Sequence, residues 1–549
     1  MKLISKNKIL IAILVLSAIL RFYRLGTYPA LNADEAAIGY NAYSLLQTGK
    51  DEHGNPWPTH FQSFNDYKPG GYFYMVLPFV RVLGLNTWSI RLPGATLGVL
   101  TVLGIYLLVN ELNKNHRSLV TGHWSLIASL LLAISPWHIH FSRGGWEVNA
   151  ATFFVVLGVY FFIKGVKDNN YLSLSVIAFV ISLYTYHAAR VLVPFLGISL
   201  LVVYREKMLA KLNIKMFLGS VLLAVVLLLP LAYEIVSPVA SSRASSVSIF
   251  ADKGFVDRIN ESRGRYEDSN SLVAKILHNK PKEISLEFVR NYSDHFLGEF
   301  LFLSGDDIQR NKVPEFGQLY LWQFPLLVIA AFAIARRPRM WGVVLAWLVI
   351  APIPAALTFQ SPHALRAQNM IIPLTVLSAY GLSEVLNYLQ KVINKKYLPI
   401  TIYCLLITVG IWSFARYIHQ YYVHMAKSYP YSSQYGVEEL SQYLKTNDSK
   451  RVVITTRYDQ PYILLLFYLQ YSPEAFQSAH VLSGRDEYGF STVPAFDRYE
   501  FKAIDFERDK LVYKNSLIVG SDEEIPDETN IIKNIYGENG FLYFQVVAN

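Results

Sequence analysis

Eleven stretches of mostly apolar residues punctuate this chain, and they leave few folds open. They run over roughly 9–27, 93–110, 119–136, 148–165, 171–187, 189–204, 214–236, 319–335, 341–358, 367–389 and 398–418. Each is near the ~20 residues a helix needs to cross a bilayer. Of the 549 residues, 52% are hydrophobic and only 17% charged, too apolar for an ordinary soluble multidomain protein. The expectation is a polytopic α-helical membrane protein. Its formal charge of +9 is scattered in small clusters between apolar runs, with no basic tract or RNA-binding motif, which argues against a nucleic-acid partner. Cys404 is the single cysteine, so an intrachain disulfide, a CxxC redox pair and a Cys-based zinc site are all ruled out.

The connections between the apolar stretches carry the orientation. Lys2, Lys6 and Lys8 precede Ile9 to Leu20 without a small-x-small cleavage site, which reads as an uncleaved first helix. From there every second connection is basic: Lys114 and Arg117, Lys164 and Lys167, then Arg205, Lys207, Lys211 and Lys215. Arg336, Arg337 and Arg339 follow, and Lys391, Lys395 and Lys396 complete the series. Lys and Arg favour the cytoplasmic side of short loops. These loops and the N-terminus therefore fall inside, and residues 28–92, 137–147, 237–318, 359–366 and the tail after 418 fall outside. The apolar run Gly70 to Leu85 contains Pro78 and Arg81, and counting it as a span would invert every later loop. It reads as an interfacial or re-entrant segment, with a short hairpin as the alternative, so whether 70–85 spans is left open. Beyond Tyr435 there is no span, and a helix over 436–445 alternates with strands over 451–456, 516–520 and 540–547. The chain thus divides into a transmembrane domain, 1–425, with outer loops 28–92 and 237–318, and an extracytoplasmic α/β domain, 426–549.

Several outward-facing residues break the charge rule. Arg143, Arg190 and Arg366 sit in outer turns, and Lys68 lies in the first outer loop. Cations gathered at one bilayer surface suit a phosphate or pyrophosphate whose lipid tail stays in the membrane. The acids Asp34, Glu35 and Glu147 share that side. A carboxylate near a bilayer is costly unless paired or functional, and cations beside it keep it ionised and able to accept a proton. His138, His140, His187 and His363 are outside too, but form no HxxxH or HExxH pattern, so interfacial hydrogen bonding is favoured over metal ligation. Gly70-Gly71 and Gly144-Gly145 begin no phosphate loop and read as tight turns.

The motifs, taken in order, resemble a known family. Arg21-Phe-Tyr-Arg-Leu, Asp34-Glu35-Ala-Ala-Ile-Gly-Tyr, Tyr67-Lys68-Pro69, Ser89-Ile-Arg91-Leu-Pro93 and Phe141-Ser-Arg143 together are similar to the GT-C glycosyltransferases. Within these, they resemble the superfamily of protein O-mannosyltransferases and lipid A aminoarabinose transferases. The resemblance covers about the first 420 residues, is strongest over 20–165, and is looser in the tail. It implies a GT-C fold and an inverting transfer of a hexose or pentose from a polyprenyl-phosphate donor to an acceptor hydroxyl on a protein, lipid or cell-wall glycan. Asp34 matches the general base and Glu35 its usual neighbour. Lys68 matches the lysine that contacts the lipid phosphate, although Gly70 stands where the family often has a second proline. Arg366 resembles the arginine near the donor phosphate, with Arg143 and Arg190 as further phosphate ligands. Glu147, His187, His363 and Tyr67 would position substrate. No cofactor is firmly implied beyond the lipid-linked sugar, and a divalent cation is left open. The expected setting is a prokaryotic plasma membrane, multi-pass, with membrane lipids as partners, the N-terminus cytoplasmic and the C-terminal domain extracytoplasmic. The rival readings are a transporter or lipid flippase, and a catalytically inactive GT-C relative.

Overall fold

The computed structural model describes residues 2–64, 66–115, 123–235, 248–251, 254–336, 341–391, 398–484 and 491–549. Arg117, Arg337, Arg339, Lys395 and Lys396, used above for orientation, lie outside the described residues, as does 236–247 of the second outer loop.

Helix coincides with all eleven apolar stretches over most of their described length, from Lys2–Phe22 and Thr87–Asn115 to Ile371–Lys391 and Leu398–His419. Length and composition are more selective. Among the described residues six helices are long and apolar enough to cross a membrane, or seven if Trp124–Ala133 and Pro136–Ser142, bent by 57°, form one span. Asn170–Thr185, Gln323–Ala335 and Gly342–Ala356 are shorter apolar helices, as is Gly71–Leu83. The last is the segment whose status the sequence left open. At 13 residues it extends about 20 Å, short of a hydrocarbon core, and it buries Tyr72, Phe73, Val76 and Val80.

Contacts divide the chain into two units. The first comprises Met1–Ser17, Gly98–Phe141 and Ala151–Tyr417. Within it, Glu111 accepts from Lys114 at 3.2 Å and from Lys167 at 3.0 Å, tying two basic connections together. The Asn169 side chain accepts from the backbone N–H of Asn213 at 2.5 Å, which adds the third. Three of the basic connections therefore lie at one end of their helices, as alternation requires.

The second unit comprises Ala18–Leu97, Ser142–Ala150 and Ile418–Asn549. Here the tail shares its core with residues between Leu31 and Ile90. A six-stranded sheet runs in the order Ala495–Phe496, Tyr499–Lys502, Val452–Thr455, Leu517–Gly520, Leu542–Ala548, Ile531–Tyr536. Val452–Thr455 is parallel to both its neighbours, and the other pairings are antiparallel. Strands of this kind, buried on both faces, are continuous apolar runs, and Val452–Thr455 and Leu517–Gly520 are buried throughout. The core joins Val452, Phe467 and Phe476 from the tail to Ala36, Ala37 and Tyr40 of helix Ala33–Thr48. Gly39 permits that approach: a Cβ there would meet Ile90 at 2.6 Å and Phe467 at 2.8 Å.

Candidate functional site

The acidic pair opens helix Ala33–Thr48, and the sequence folds there because Asn32 and Glu35 cap it reciprocally. The Asn32 side-chain oxygen accepts from the Glu35 N–H at 3.0 Å, while Glu35 Oε2 accepts from the Asn32 N–H at 3.2 Å. This capping box satisfies two helix-end donors. Asp34 stands in the same first turn, where the helix dipole favours a negative charge.

The two acids have different surroundings. Glu35 is buried, 1% exposed, and holds Arg91 by two parallel bonds, Nε to Oε1 at 2.6 Å and Nη2 to Oε2 at 2.7 Å. The Gly145 N–H also donates to Oε1 at 2.8 Å. Gly145 is required by close approach, since a Cβ would lie 2.9 Å from Ile90 and 3.3 Å from Glu35 Cγ. The remaining donors of Arg91 reach the carbonyls of Leu25, Pro29 and Ala30 at 2.7–3.1 Å. Arg91 stood in a quoted motif, but its role as the partner of Glu35 was not read from the sequence.

The Asp34 side chain, 22% exposed, accepts from Lys68 Nζ. Lys68 is presented by the hairpin His60–Ser63 and Asp66–Pro69, opposite Phe61, and its Nζ lies 5.5 Å from the Phe64 ring centroid. Burial alone would lower the Lys68 ammonium, but the carboxylates of Asp34, Glu147 and Asp66 outweigh it and hold the pKa above its ordinary value. Lys68 is therefore a firm cation at neutral pH. Glu147 enters this field from the first turn of helix Glu147–Gly165, and Tyr67 occupies the strand beside Lys68.

Arg143 departs from its expected role. Its guanidinium is fully buried and donates to the Tyr421 hydroxyl at 3.1 Å, to the Leu20 and Arg21 carbonyls at 2.9 and 3.2 Å, and to the Tyr28 carbonyl at 3.1 Å. Such a set makes it an internal clamp rather than a ligand-facing arginine.

The other expected residues lie in the first unit. Arg366 Nη1 donates to Thr358 Oγ1 at 2.7 Å. His363 is buried, with its Nδ1 3.7 Å from Asp306. Asp306, also buried, accepts from the Ala364 N–H at 2.6 Å, the Ile308 N–H at 2.9 Å and the Asn311 amide at 2.9 Å. Burial first, then Arg366 and Arg310, keep the His363 imidazole well below its usual pKa, hence neutral. Asp306 is thus the fastening of the turn that carries Arg366, a role that the acid pair Asp306-Asp307 in a long loop does not announce. Asp306→Ala should lower stability by about 1–3 kcal/mol, measurable as a lower unfolding temperature. Arg190 Nε reaches back to the Leu183 carbonyl at 3.2 Å from the helix that His187 begins. Among the described residues no three His, Cys, Asp or Glu side chains converge as metal ligands.

One acid near Lys68 escaped the sequence reading. Glu52 is fully buried with the His53 Nε2 at 3.6 Å, and His53 Nδ1 lies 2.8 Å from His480 Nε2. Burial, then the Asp51 carboxylate, pushes the Glu52 pKa up to about 8. The folded state then holds this proton more tightly than the unfolded chain does. The Glu52 contribution to stability accordingly falls as pH rises from the usual carboxyl range to about 8 and is flat above. Glu52→Gln, which cannot ionise, should gain stability relative to wild type between pH 5 and 8, as read by thermal unfolding. A constant difference across that range would refute the assignment.

Residues 67–233 match the family described as dolichyl-phosphate-mannose-protein mannosyltransferase. Among solved structures, the chain is similar to ArnT from Cupriavidus metallidurans in the apo state, with a TM-score of 0.53 and 11% identity over 99% of this chain and 98% of that one. ArnT bound to undecaprenyl phosphate gives 0.52 and 12%, over 98% and 97%. The archaeal oligosaccharyltransferase AglB from Archaeoglobus fulgidus, solved with an inhibitory peptide and a dolichol-phosphate, gives 0.48 and 15% over 84% of this chain, which spans 63% of AglB. No curated protein sequence matches the chain. The ArnT likeness and the family match agree with the resemblance carried by the motifs: the fold is that of the GT-C glycosyltransferases.

Proposed function

We propose that this protein transfers a sugar from a polyprenyl-phosphate carrier to an acceptor hydroxyl at the outer face of a prokaryotic plasma membrane, with Asp34 as general base. The observation that carries the reading is the division of labour in the acidic pair. Glu35 is locked to Arg91 and Gly145, while Asp34 keeps a partly exposed carboxylate beside the Lys68 ammonium. The ArnT fold, seen elsewhere with undecaprenyl phosphate, supports the class of donor.

In the proposed reaction the acceptor oxygen attacks the anomeric carbon while Asp34 takes its proton. The bond from that carbon to the phosphate oxygen breaks, and the anomeric configuration inverts. Lys68 stabilises the charge gathering on the leaving phosphate, as a preorganised cation does where negative charge develops. Arg366 and Arg190 are proposed as further phosphate ligands. Glu147 tunes Lys68 through its charge, Tyr67, His187 and His363 hold the surrounding backbone and substrate, and Arg143 positions the segments around the site.

Purified protein supplied with polyprenyl-phosphate sugars and hydroxyl acceptors tests this directly. Release of polyprenyl phosphate coupled to a glycosylated product is expected, and its absence with every such donor would remove the reading. Lys68→Met should raise donor KM and lower kcat about 10²-fold, and a change in acceptor KM alone would reassign the lysine. Orientation is tested by single cysteines at Asp66 and Lys445 in a Cys404→Ser background. Both should react with a membrane-impermeant reagent from outside, and cytoplasmic labelling of either would invert the topology.

A further inference from the structure

A cleft of about 610 Å³ opens within the second unit, walled on one side by residues 26–31 and on the other by helix Gly436–Lys445 and strand Ile531–Tyr536. Its size lies in the ordinary range of small-molecule sites, about 300–1,000 Å³. We infer that this cleft binds a neutral saccharide chain, the acceptor of the reaction proposed above, and the inference rests on that reading for the acceptor role.

The lining supports a sugar. Tyr435, Tyr443, Tyr468 and Tyr536 bring four phenol rings to one cavity. Tyrosine offers an apolar face to the C–H side of a pyranose and a hydroxyl at its tip, and it orders few torsions on binding. Glu438 and Gln442 add acceptors and an amide donor suited to ring hydroxyls. The lining offers few aliphatic side chains to receive an acyl tail: beyond the tyrosines its apolar members are Pro29, Ala30 and Leu31.

The charges exclude an anion. Glu439 is paired with Lys533 at 2.9 Å and Glu538 with Arg24 at 3.2 Å, which leaves Glu438 as the carboxylate not offset in these pairs. A negative ligand would meet like charge here. Partial burial first, then the nearby Glu538, raises the Glu438 pKa.

The cleft is also mechanically joined to the acid. Residues 26–31 run directly into the capped start of helix Ala33–Thr48, and Arg91 fixes both parts. One guanidinium binds the Pro29 and Ala30 carbonyls of the wall and the Glu35 carboxylate next to Asp34. A chain seated in the cleft lies against the segment that leads into the helix bearing the proposed base.

The test uses the full chain in lipid nanodiscs, without donor, observed by saturation-transfer difference NMR. The probes are α-mannotriose, N-acetylchitotriose and, as an anionic counterpart, trigalacturonate. At least one neutral trisaccharide should give signal, trigalacturonate none, and Tyr443→Ala/Tyr536→Ala should weaken binding at least about fivefold in protein that still unfolds cooperatively. Glu438→Gln, at an exposed position, provides a second variant whose saccharide profile should shift should the tyrosine pair not fold. Silence from both neutral probes, equal binding of trigalacturonate, or binding indifferent to these substitutions overturns the inference. The two readings separate cleanly. Saccharide binding with no transfer from any donor removes the catalytic proposal and keeps the cleft, and transfer to saccharide that ignores the tyrosines does the reverse.

Discussion

Asp34→Asn is expected to lower the turnover number by about 10²–10⁴-fold, the range a positioned general base contributes, while the protein remains folded. Asparagine preserves the shape of the side chain, its place in the first helical turn and an oxygen able to accept from Lys68. What is lost is the capacity to take a proton, and with it the negative charge. The electrostatic side effect should run the other way. Lys68 owes its raised pKa chiefly to Asp34 among the neighbouring charges, and without that carboxylate the ammonium is freer to meet a phosphate. Donor KM should therefore hold or fall in the variant while kcat collapses. Initial rates against donor concentration, with the unfolding temperature as a folding control, read both quantities. Turnover within a few-fold of wild type would remove Asp34 as the base.

The second large effect concerns stability. Glu35→Ala should destabilise the protein by about 3–5 kcal/mol, because removing one member of a buried ion pair strands the other. Arg91 is fully buried, and the loss would also leave the N–H groups of Gly145 and Asn32 without their acceptor. The double variant Glu35→Leu/Arg91→Met should recover part of this, since an apolar pair of similar volume often replaces a buried ion pair at little cost. Recovery stays incomplete because the carbonyls of Leu25, Pro29 and Ala30 lose their donor. Thermal unfolding of wild type, Glu35→Leu, Arg91→Met and their double variant measures the coupling. A Glu35→Ala midpoint equal to wild type would show that the pair is not holding the helix start.

What the sequence made legible follows from the range of the interactions involved. Apolar length and turn charge are local, so helix positions were readable, and the pairing of Lys114 and Lys167 on Glu111 agrees with the alternation of basic connections. The helix Gly436–Lys445 and the strands Val452–Thr455, Leu517–Gly520 and Leu542–Ala548 fall where local patterning put them. Strand order was not readable, because a short buried run such as Val452–Thr455 does not name its neighbours. The candidate site was legible as residue types, not as geometry. Glu35 meets Arg91 and Gly145 from 56 and 110 residues away, and nothing local distinguishes those partners from other arginines and glycines. Arg143 shows the same limit: an arginine at an anomalous place suggested a phosphate, and its spatial partners, the carbonyls of Leu20 and Tyr28, lie more than a hundred residues away in sequence.

Helix Ala33–Thr48 rests on the tail. The Tyr40 hydroxyl donates to the Tyr471 carbonyl at 3.1 Å, and the Gln477 amide donates to Ser44, Thr48 and Asp51 at 2.8–3.0 Å. The tail is therefore not a cassette that evolution or an engineer can exchange at a single junction. A chimera joined only near residue 426 would set a foreign surface under the helix that bears Asp34. A viable graft must carry 18–97 and 142–150 together with the tail.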